Sequence, residues 1–456
     1  MSTSLHDDFS RTPVTNFNLR PWWYLLIIEM GVMISIPLFV IGGQLGLGLS
    51  LQDLILSTFC GAIILGIIGA LTARLGALTR CSTALIARTT FGRKGAVCIA
   101  LLLAMGMTGW WGVQTELFAD AVVKLANKLF QVSLPQELMI ILGGGAMITT
   151  AALGIRAIGR LSYLAVPLLS AGLVYALNIL FKANIVSTLA HHHPSATSLN
   201  FGTAAAIVTS GFIVGASMNP DYSRFAINKK HAFGYAFTDY ACIYPLLLIA
   251  SGIIAIGFHS NEIMIHLVPP GYSWLVFVMM MFATWAANDC NLYSSSLGLA
   301  TIFSKWHRAK LAIFAGIVGI ILAEFKVAEH MVSFLTLLGI LIAPISGVFI
   351  VHAIGRKQPI VSEELDNIPN WHVGQLVAWF SGALIGYLTT PKNALGLGLF
   401  QLTTIPTLDA VLAAGIVMLC IRFLQNSIFS TSIPDTLPKS LSETSRPYAG
   451  MLDDPK

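Results

Sequence analysis

The chain has 456 residues, of which 55% are hydrophobic and 10% are charged. Because soluble domains carry about 25% charged residues, so few charges exclude an ordinary water-soluble protein of this size. The net charge of +5 does not call for an acidic partner such as nucleic acid, because the basic residues are distributed as in a membrane protein.

Apolar runs of the length that crosses a bilayer recur along the chain. They predict an all-α integral membrane protein with a polar N-terminal segment at 1–21, a transmembrane domain at 22–425 and a polar C-terminal tail at 426–456. About twelve transmembrane helices are expected, at 24–42, 51–73, 96–123, 137–155, 161–181, 203–218, 232–257, 274–303, 310–325, 331–354, 372–389 and 404–425.

The basic residues favour one side of this arrangement. With the N-terminus inside, 21 of the 26 lysines and arginines fall on inner segments and 5 fall on outer segments. This positive-inside bias predicts an even number of spans. We therefore expect a multi-pass protein of the plasma (inner) membrane with both termini in the cytoplasm.

Two spans are interrupted at corresponding places. Span one contains the run GVMISIPLFVIGGQLGLG at Gly31–Gly48, in which Pro37 breaks or kinks the helix. Span six contains TSGFIVGASMNPDYSRF at Thr209–Phe225, which is rich in glycine and holds a proline. Paired broken helices in two five-helix halves indicate a midplane binding site built from inverted repeats. The alternative is a pair of harmless kinks, because glycine and proline are common in membrane helices.

Polar residues in three spans are candidates for function. In span three, Trp110 and Gln114 are four apart and share a helix face, which suits a planar heterocycle with amide-like edges. In span eight, Asn288, Asp289 and Asn291 form a dense polar group. The alternative for both sets is packing and hydrogen bonding between helices. Glu29 in span one is a candidate proton carrier, or a residue that anchors its helix.

The sequence has no recognisable catalytic, cofactor or metal signature. It contains no P-loop, nucleophile elbow or HExxH motif, and its six cysteines have no metal-ligand spacing. The polar groups fall in the middle of spans rather than at an interface, which favours a transporter over a membrane enzyme. We expect no cofactor.

Several segments together resemble the nucleobase–cation symporter family 1, and within it the cytosine permease branch. The segments are GGQLGLGLSLQDL (Gly42–Leu54), LIARTTFGRKG (Leu85–Gly95), GWWGVQTELFADAV (Gly109–Val122), PDYSRF (Pro220–Phe225) and NDCNLYSSSLGLATI (Asn288–Ile302). The resemblance implies the LeuT-type fold, a five-plus-five inverted repeat with broken helices one and six and two further helices. It also implies uptake of a nucleobase or related ring driven by a cation gradient.

The resemblance implies a site built from spans three, six and eight. The ring is expected to stack between Trp110 and Phe212, and Gln114 is expected to bond it. Backbone groups near Gly211 and Gly215 are expected to meet the ligand. An amide contact is expected from span eight, from either of the asparagines Asn288 and Asn291.

One departure from the family bears on the coupling ion. Sodium-dependent members carry hydroxyl residues at positions that resemble Ala286 and Ala287 here, so the expected sodium cage lacks two side-chain oxygens. Backbone carbonyls of the broken first span could still contribute to it. The proton is therefore favoured over sodium, and the candidates for ion coupling are Glu29, Gly31, Ser35 and Asp289.

The leading hypothesis is a monomeric importer of cytosine or a related heterocycle in symport with a proton or sodium. Alternatives within the family are permeases for purines, uracil, allantoin or hydantoins, and hydroxymethylpyrimidine. From another class, the alternative is a transporter-like nutrient sensor. The tail of roughly thirty residues is short for a signalling domain, which weighs against the sensor.

Overall fold

The structure is a computed structural model that describes residues 9–430 apart from 10–11, 153–154, 184, 195–198, 261–262, 264–265, 267–271, 304, 355, 357, 361–363 and 366. Most of the polar tail and part of the N-terminal segment expected from the sequence lie outside the described residues. The described part of the chain is almost entirely helical.

The helices follow one another along the chain with short connections. They are α1 (Trp22–Met33), α2 (Ile36–Gly48), α3 (Leu51–Thr79), α4 (Thr83–Phe91), α5 (Gly95–Phe130), α6 (Gln136–Ala151), α7 (Ile155–Lys182), α8 (Ile185–Ala190), α9 (Phe201–Gly211), α10 (Ile213–Met218), α11 (Pro220–Ser223), α12 (Lys229–Phe237), α13 (Tyr244–Phe258), α14 (Ser273–Ile302), α15 (Arg308–Glu324), α16 (Met331–Leu341), α17 (Ala343–Ala353), α18 (Val373–Thr389) and α19 (Pro406–Ser430). A π-helical segment, Thr238–Ile243, joins α12 to α13.

Each predicted span overlaps one of these helices or a run of them. Among the described residues, five continuous helical stretches are long and apolar enough to cross a membrane, and two bent pairs bring the number to seven. The chain is therefore a multi-pass membrane protein, whereas the figure of twelve spans and the inverted repeat stay predictions.

The two bent pairs fall where the sequence predicts broken helices. Helices α1 and α2 meet at 64°, and α9 meets the segment Ile213–Ser223 at 44°. Ser35 between α1 and α2 has an extended backbone, and Pro37 lies in the first turn of α2. Proline is tolerated there, because the amide protons of a first turn have no helical acceptor. Phe212 interrupts the sixth span with a non-helical backbone.

The carbonyls freed in the broken sixth span are bonded by side chains of neighbouring helices. The Phe212 amide bonds Ser210 rather than Val208, and the hydroxyl of Tyr244 donates to the Val208 carbonyl at 2.9 Å. Pro220 has no amide proton for the Ala216 carbonyl, and the hydroxyl of Thr72 in α3 donates to that carbonyl instead.

Side chains of neighbouring helices also bond the C-terminal end of this span. Thr83 at the start of α4 donates its hydroxyl to the Met218 carbonyl at 3.2 Å. Its amide donates to the carboxylate of Asp221 at 2.8 Å. The buried Arg224 donates to the Asp221 carbonyl and to the hydroxyl of Tyr293 in α14. The PDYSRF segment, which contains α11, is thus bonded to α4 through Asp221 and to α14 through Arg224.

Glycines in the GGQLGLG run allow α2 to pack closely on α13. A Cβ added at Gly46 would lie 2.5 Å from the Cα and carbonyl oxygen of Gly252, and one added at Gly42 would lie 2.7 Å from the carbonyl oxygen of Leu248. These are backbone atoms, which cannot move aside as a flexible side chain can. The two helices must therefore separate if either glycine gains a side chain.

We predict that Gly46→Ala lowers the free energy of unfolding by about 1–3 kcal/mol, the range for overpacked cores. The matched control is Gly145→Ala in α6, where an added Cβ meets nothing within 4 Å. Alanine favours the helix at that position. The measurement is the apparent melting temperature of the purified proteins in detergent. Equal melting temperatures for the two variants would contradict close packing at Gly46.

Candidate functional site

A small space lies where the two broken helices meet α5 and α14. Its lining comes from α1, α2, α5, α9, α10, α11 and α14, from the linker residue Ser35 and from the break residue Phe212. The lining residues are Glu29, Val32, Ser35, Leu38, Met107, Trp110, Gln114, Gly211, Phe212, Gly215, Tyr222, Cys290 and Asn291. We call this space the central cavity.

The central cavity is narrow in this conformation. Its volume is about 30 Å³, enough for a water molecule, which needs roughly 10–15 Å³. Binding sites for drug-sized ligands measure roughly 300–1,000 Å³. A ring can therefore enter only after the walls move apart.

Two aromatic residues of the central cavity are backed by other aromatic rings. Trp110 is 7% exposed and meets Phe334 of α16 edge-on, with ring centroids 5.5 Å apart. Phe212 packs at a tilt on Tyr240 and Tyr244, at 5.8 Å and 6.1 Å. Trp110 and Phe212 thus both line the cavity. Sequence reasoning missed Phe334, because it lies in a uniformly apolar span.

Two amide side chains leave polar atoms without partners at the central cavity. The Oε1 atom of Gln114 and the Nδ2 atom of Asn291 are buried and have no hydrogen-bond partner among the described residues. Buried polar atoms are nearly always bonded, so such a pair calls for an explanation. Together they offer one acceptor and one donor, the complement of a ring edge that carries N–H and C=O groups.

Two other polar residues of α14, Asn288 and Asp289, bond neighbouring helices and do not line the central cavity. The Nδ2 atom of Asn288 donates to Thr115 Oγ1 at 3.1 Å and contacts the sulfur of Met147 at 3.3 Å. Asp289 Oδ1 accepts from the hydroxyl of Thr150 in α6 at 2.8 Å. Of the two asparagines, Asn291 lines the cavity and Asn288 does not.

Glu29 reaches from the central cavity into a buried polar cluster. It is 2% exposed, and its carboxylate accepts from Tyr240 Oη at 3.3 Å and from Asn219 Nδ2 at 3.5 Å. Tyr235 in turn donates its hydroxyl to Asn219 Oδ1 at 2.5 Å. The partners of Glu29 lie some 190 to 211 residues away in sequence, so the sequence pattern could not connect them.

The remaining ion-coupling candidates divide between cavity and interior. Ser35 lines the central cavity, whereas Gly31 is buried and does not. Ala286 and Ala287 are fully buried, and Ala287 belongs to an apolar cluster with Ile28 and Val32 of α1. Neither alanine has a side-chain oxygen, and Ala287 packs where α14 faces α1.

A second, larger cavity adjoins the central one along α9. It measures about 320 Å³ and lies between α9, α16 and the α18–α19 connection. Ser210 lines this second cavity, and the next residue, Gly211, lines the central one. None of the site residues expected from the sequence lines the second cavity.

Sequence comparison assigns the chain to a family. The family profile described as "Permease for cytosine/purines, uracil, thiamine, allantoin" matches residues 15–365. The cytosine permease of Escherichia coli (strain K12) is 30% identical over 354 residues, which cover 76% of this chain and 81% of that permease. The chain belongs to the cytosine/purine permease family, nucleobase–cation symporter family 1. The hydantoin permease of Microbacterium maritypicum is 24% identical over 369 residues, covering 75% of this chain and 73% of that one.

Solved structures share the fold of this permease. Mhp1, a nucleobase-cation-symport-1 family transporter in a closed conformation with bromovinylhydantoin bound, matches with a TM-score of 0.76 at 20% identity, covering 94% of this chain and 96% of that chain. A Na⁺-coupled sialic acid symporter in a substrate-bound, outward-open state matches with a TM-score of 0.68 at 14% identity, covering 92% and 93%. The fold is thus that of known secondary transporters.

We predict that Trp110→Ala weakens binding of a radiolabelled nucleobase by about 1–3 kcal/mol, the usual effect of losing an aromatic stacking partner for a base. The control is Trp23→Ala in α1, because Trp23 is 49% exposed and does not line the central cavity. Both variants are compared with the wild type by equilibrium binding after equal membrane expression is verified. Wild-type affinity in the Trp110 variant would place the ring elsewhere.

Proposed function

We propose that this permease imports cytosine or a closely related nucleobase ring in symport with a proton. Its family makes it a transporter for nucleobase-like compounds. The observation that carries the finer proposal is the central cavity. There, the aromatic rings of Trp110 and Phe212 accompany a buried acceptor at Gln114 and a buried donor at Asn291, both without partners among the described residues.

The polar atoms of the central cavity suit a pyrimidine with mixed edges. Cytosine presents an amino group that can donate to Gln114 and a carbonyl that can accept from Asn291, while its flat faces suit Trp110 and Phe212. This chain has a higher sequence identity to the cytosine permease, 30%, than to the hydantoin permease, 24%. Purines, uracil, allantoin or hydantoins and hydroxymethylpyrimidine are the alternative substrates.

The chemistry around Glu29 favours a proton over sodium as the coupling ion. Sodium is a hard cation that prefers several oxygen ligands, by extension of the rule for calcium and magnesium. Ala286 and Ala287 provide none from their side chains. Glu29 lines the central cavity, whereas Asp289 bonds Thr150 away from it. We therefore propose Glu29 rather than Asp289 as the carrier next to the substrate.

Transport requires the narrow cavity to open alternately to the two sides of the membrane. We propose that the permease works as a monomer in the plasma (inner) membrane. Its two termini are proposed to be cytoplasmic, because the distribution of its basic residues predicts that orientation. A nutrient sensor built on the same fold would bind the ring without net flux. Uptake into proteoliposomes of the purified protein separates these two functions.

We predict that Gln114→Leu changes the selectivity among rings. Losing a buried hydrogen-bond acceptor weakens binding by about 1–3 kcal/mol for rings that donate to it, and less for rings that do not. The measurement is competition by a series of nucleobases against labelled cytosine. Gln44→Leu, at an exposed position of α2, serves as the control. An unchanged rank order of competitors would show that Gln114 does not read the ring.

We predict that replacing external sodium by choline leaves uptake nearly unchanged, whereas a protonophore collapses accumulation. Glu29→Gln is expected to retain cytosine binding and lose concentrative uptake, because glutamine keeps the shape of glutamate and cannot release a proton. Glu137→Gln, at an exposed position of α6, is the control. Strict sodium dependence of both binding and uptake would refute proton coupling.

A further inference from the structure

A second buried carboxyl lies near Glu29 and has no hydrogen-bond partner among the described residues. Asp239 is 0% exposed, and neither of its carboxylate oxygens has a hydrogen-bond partner among the described residues. It lies in the π-helical segment Thr238–Ile243, which packs against α1 and α3. π-Helical turns are rare and frequently occur at functional sites.

The surroundings of Asp239 do not suit a charged carboxylate. An ionised carboxylate buried without hydrogen bonds or a nearby cation is strongly destabilised, so such a group takes up a proton. The titratable groups that interact electrostatically with it include, among the described residues, Glu29 of α1, Tyr235 of α12 and the adjacent Tyr240. None of these three groups is cationic, so none can neutralise a negative charge on Asp239.

Hydrogen bonds connect this region to the central cavity. Tyr240, the residue after Asp239, donates its hydroxyl to Glu29 at 3.3 Å. Asn219 Nδ2 contacts both Tyr240 Oη, at 3.2 Å, and Glu29, and Asn219 Oδ1 accepts from Tyr235. Glu29 thus belongs to a buried cluster of hydroxyl and amide groups, and Asp239 precedes Tyr240, a member of that cluster, in the π-helical segment. The mutual repulsion of Glu29 and Asp239 opposes both being ionised at once.

We propose that Asp239 is a second binding site for the coupling proton, which it shares with Glu29 across this cluster. The inference rests on the proton coupling proposed above. In the transport cycle the O–H bond of the Asp239 carboxyl breaks, the proton passes to water on the side that has opened, and the carboxylate remains to take up the next proton. Because Glu29 lines the substrate cavity, a change in its charge there alters, through charge repulsion, how readily Asp239 loses its proton.

The test compares wild type, Asp239→Asn and Asp409→Asn in proteoliposomes with radiolabelled cytosine as the probe. Asp409 is a matched control, because it is also buried with one unpartnered oxygen among the described residues, and it lies on α19. Exchange of cytosine at equal pH on both sides needs no net proton movement, whereas accumulation driven by a pH gradient does. We expect Asp239→Asn to keep exchange and lose accumulation, and Asp409→Asn to keep both.

The outcomes separate this inference from the proposed function. If a protonophore leaves wild-type accumulation intact, proton coupling fails and this inference fails with it. If wild-type accumulation is proton-driven and Asp239→Asn accumulates cytosine equally well, the inference is overturned while the proposed function stands. Loss of exchange together with accumulation in a well-folded Asp239→Asn protein would also overturn it, because the residue would then serve binding or structure.

An infrared measurement needs neither a substrate nor a folded asparagine variant. A protonated carboxylic acid has a carbonyl stretching band distinct from that of a carboxylate, and ¹³C labelling of aspartate identifies bands from aspartic acids. We expect a band from a protonated aspartic acid in the labelled wild-type protein. In the Asp239→Glu protein labelled in the same way, we expect the contribution of this residue to that band to be lost. Absence of any protonated-aspartate band from the wild type would overturn the inference.

Discussion

The structure around the central cavity depends on how backbone groups are bonded where water is scarce. A helix that breaks inside a membrane frees carbonyl and amide groups, which are costly to leave unpaired. Here side chains supply the missing donors: Tyr244 bonds the carbonyl of Val208, and Thr72 bonds that of Ala216. The non-helical backbone at Phe212 can therefore persist beside the cavity, where its ring and the adjacent Gly211 form part of the wall.

The polar residues of α14 divide according to the side of the helix on which they lie. Asn288 and Asp289 tie α14 to α5 and α6 through Thr115 and Thr150, whereas Asn291 faces the cavity. Polar side chains between membrane helices commonly hold the helices together. Of the three polar residues Asn288, Asp289 and Asn291 that mark this span in the sequence, two thus bond neighbouring helices and one lines the cavity.

Sequence patterns located much of this arrangement because they are local. Pro37 and the glycines of span six placed both breaks, and the spacing of four between Trp110 and Gln114 placed both on the cavity side of α5. Local patterns could not show which of Asn288 and Asn291 lines the cavity. The two residues are three apart and lie on the same broad side of the helix, so their spacing does not fix how the helix is rotated about its axis. Contacts between distant segments, such as Glu29 with Tyr240, leave no trace in one sequence.

The hydroxyl donors at the broken sixth span also constrain how the permease can move. Thr72, Thr83 and Tyr244 belong to α3, α4 and α13, so their bonds attach the broken span to three other helices. Straightening the span would break these bonds to neighbouring helices, and Pro220 would still lack an amide proton for the Ala216 carbonyl. These bonds oppose straightening of the break, so we expect the cavity to open by displacement of the span together with the helices bonded to it.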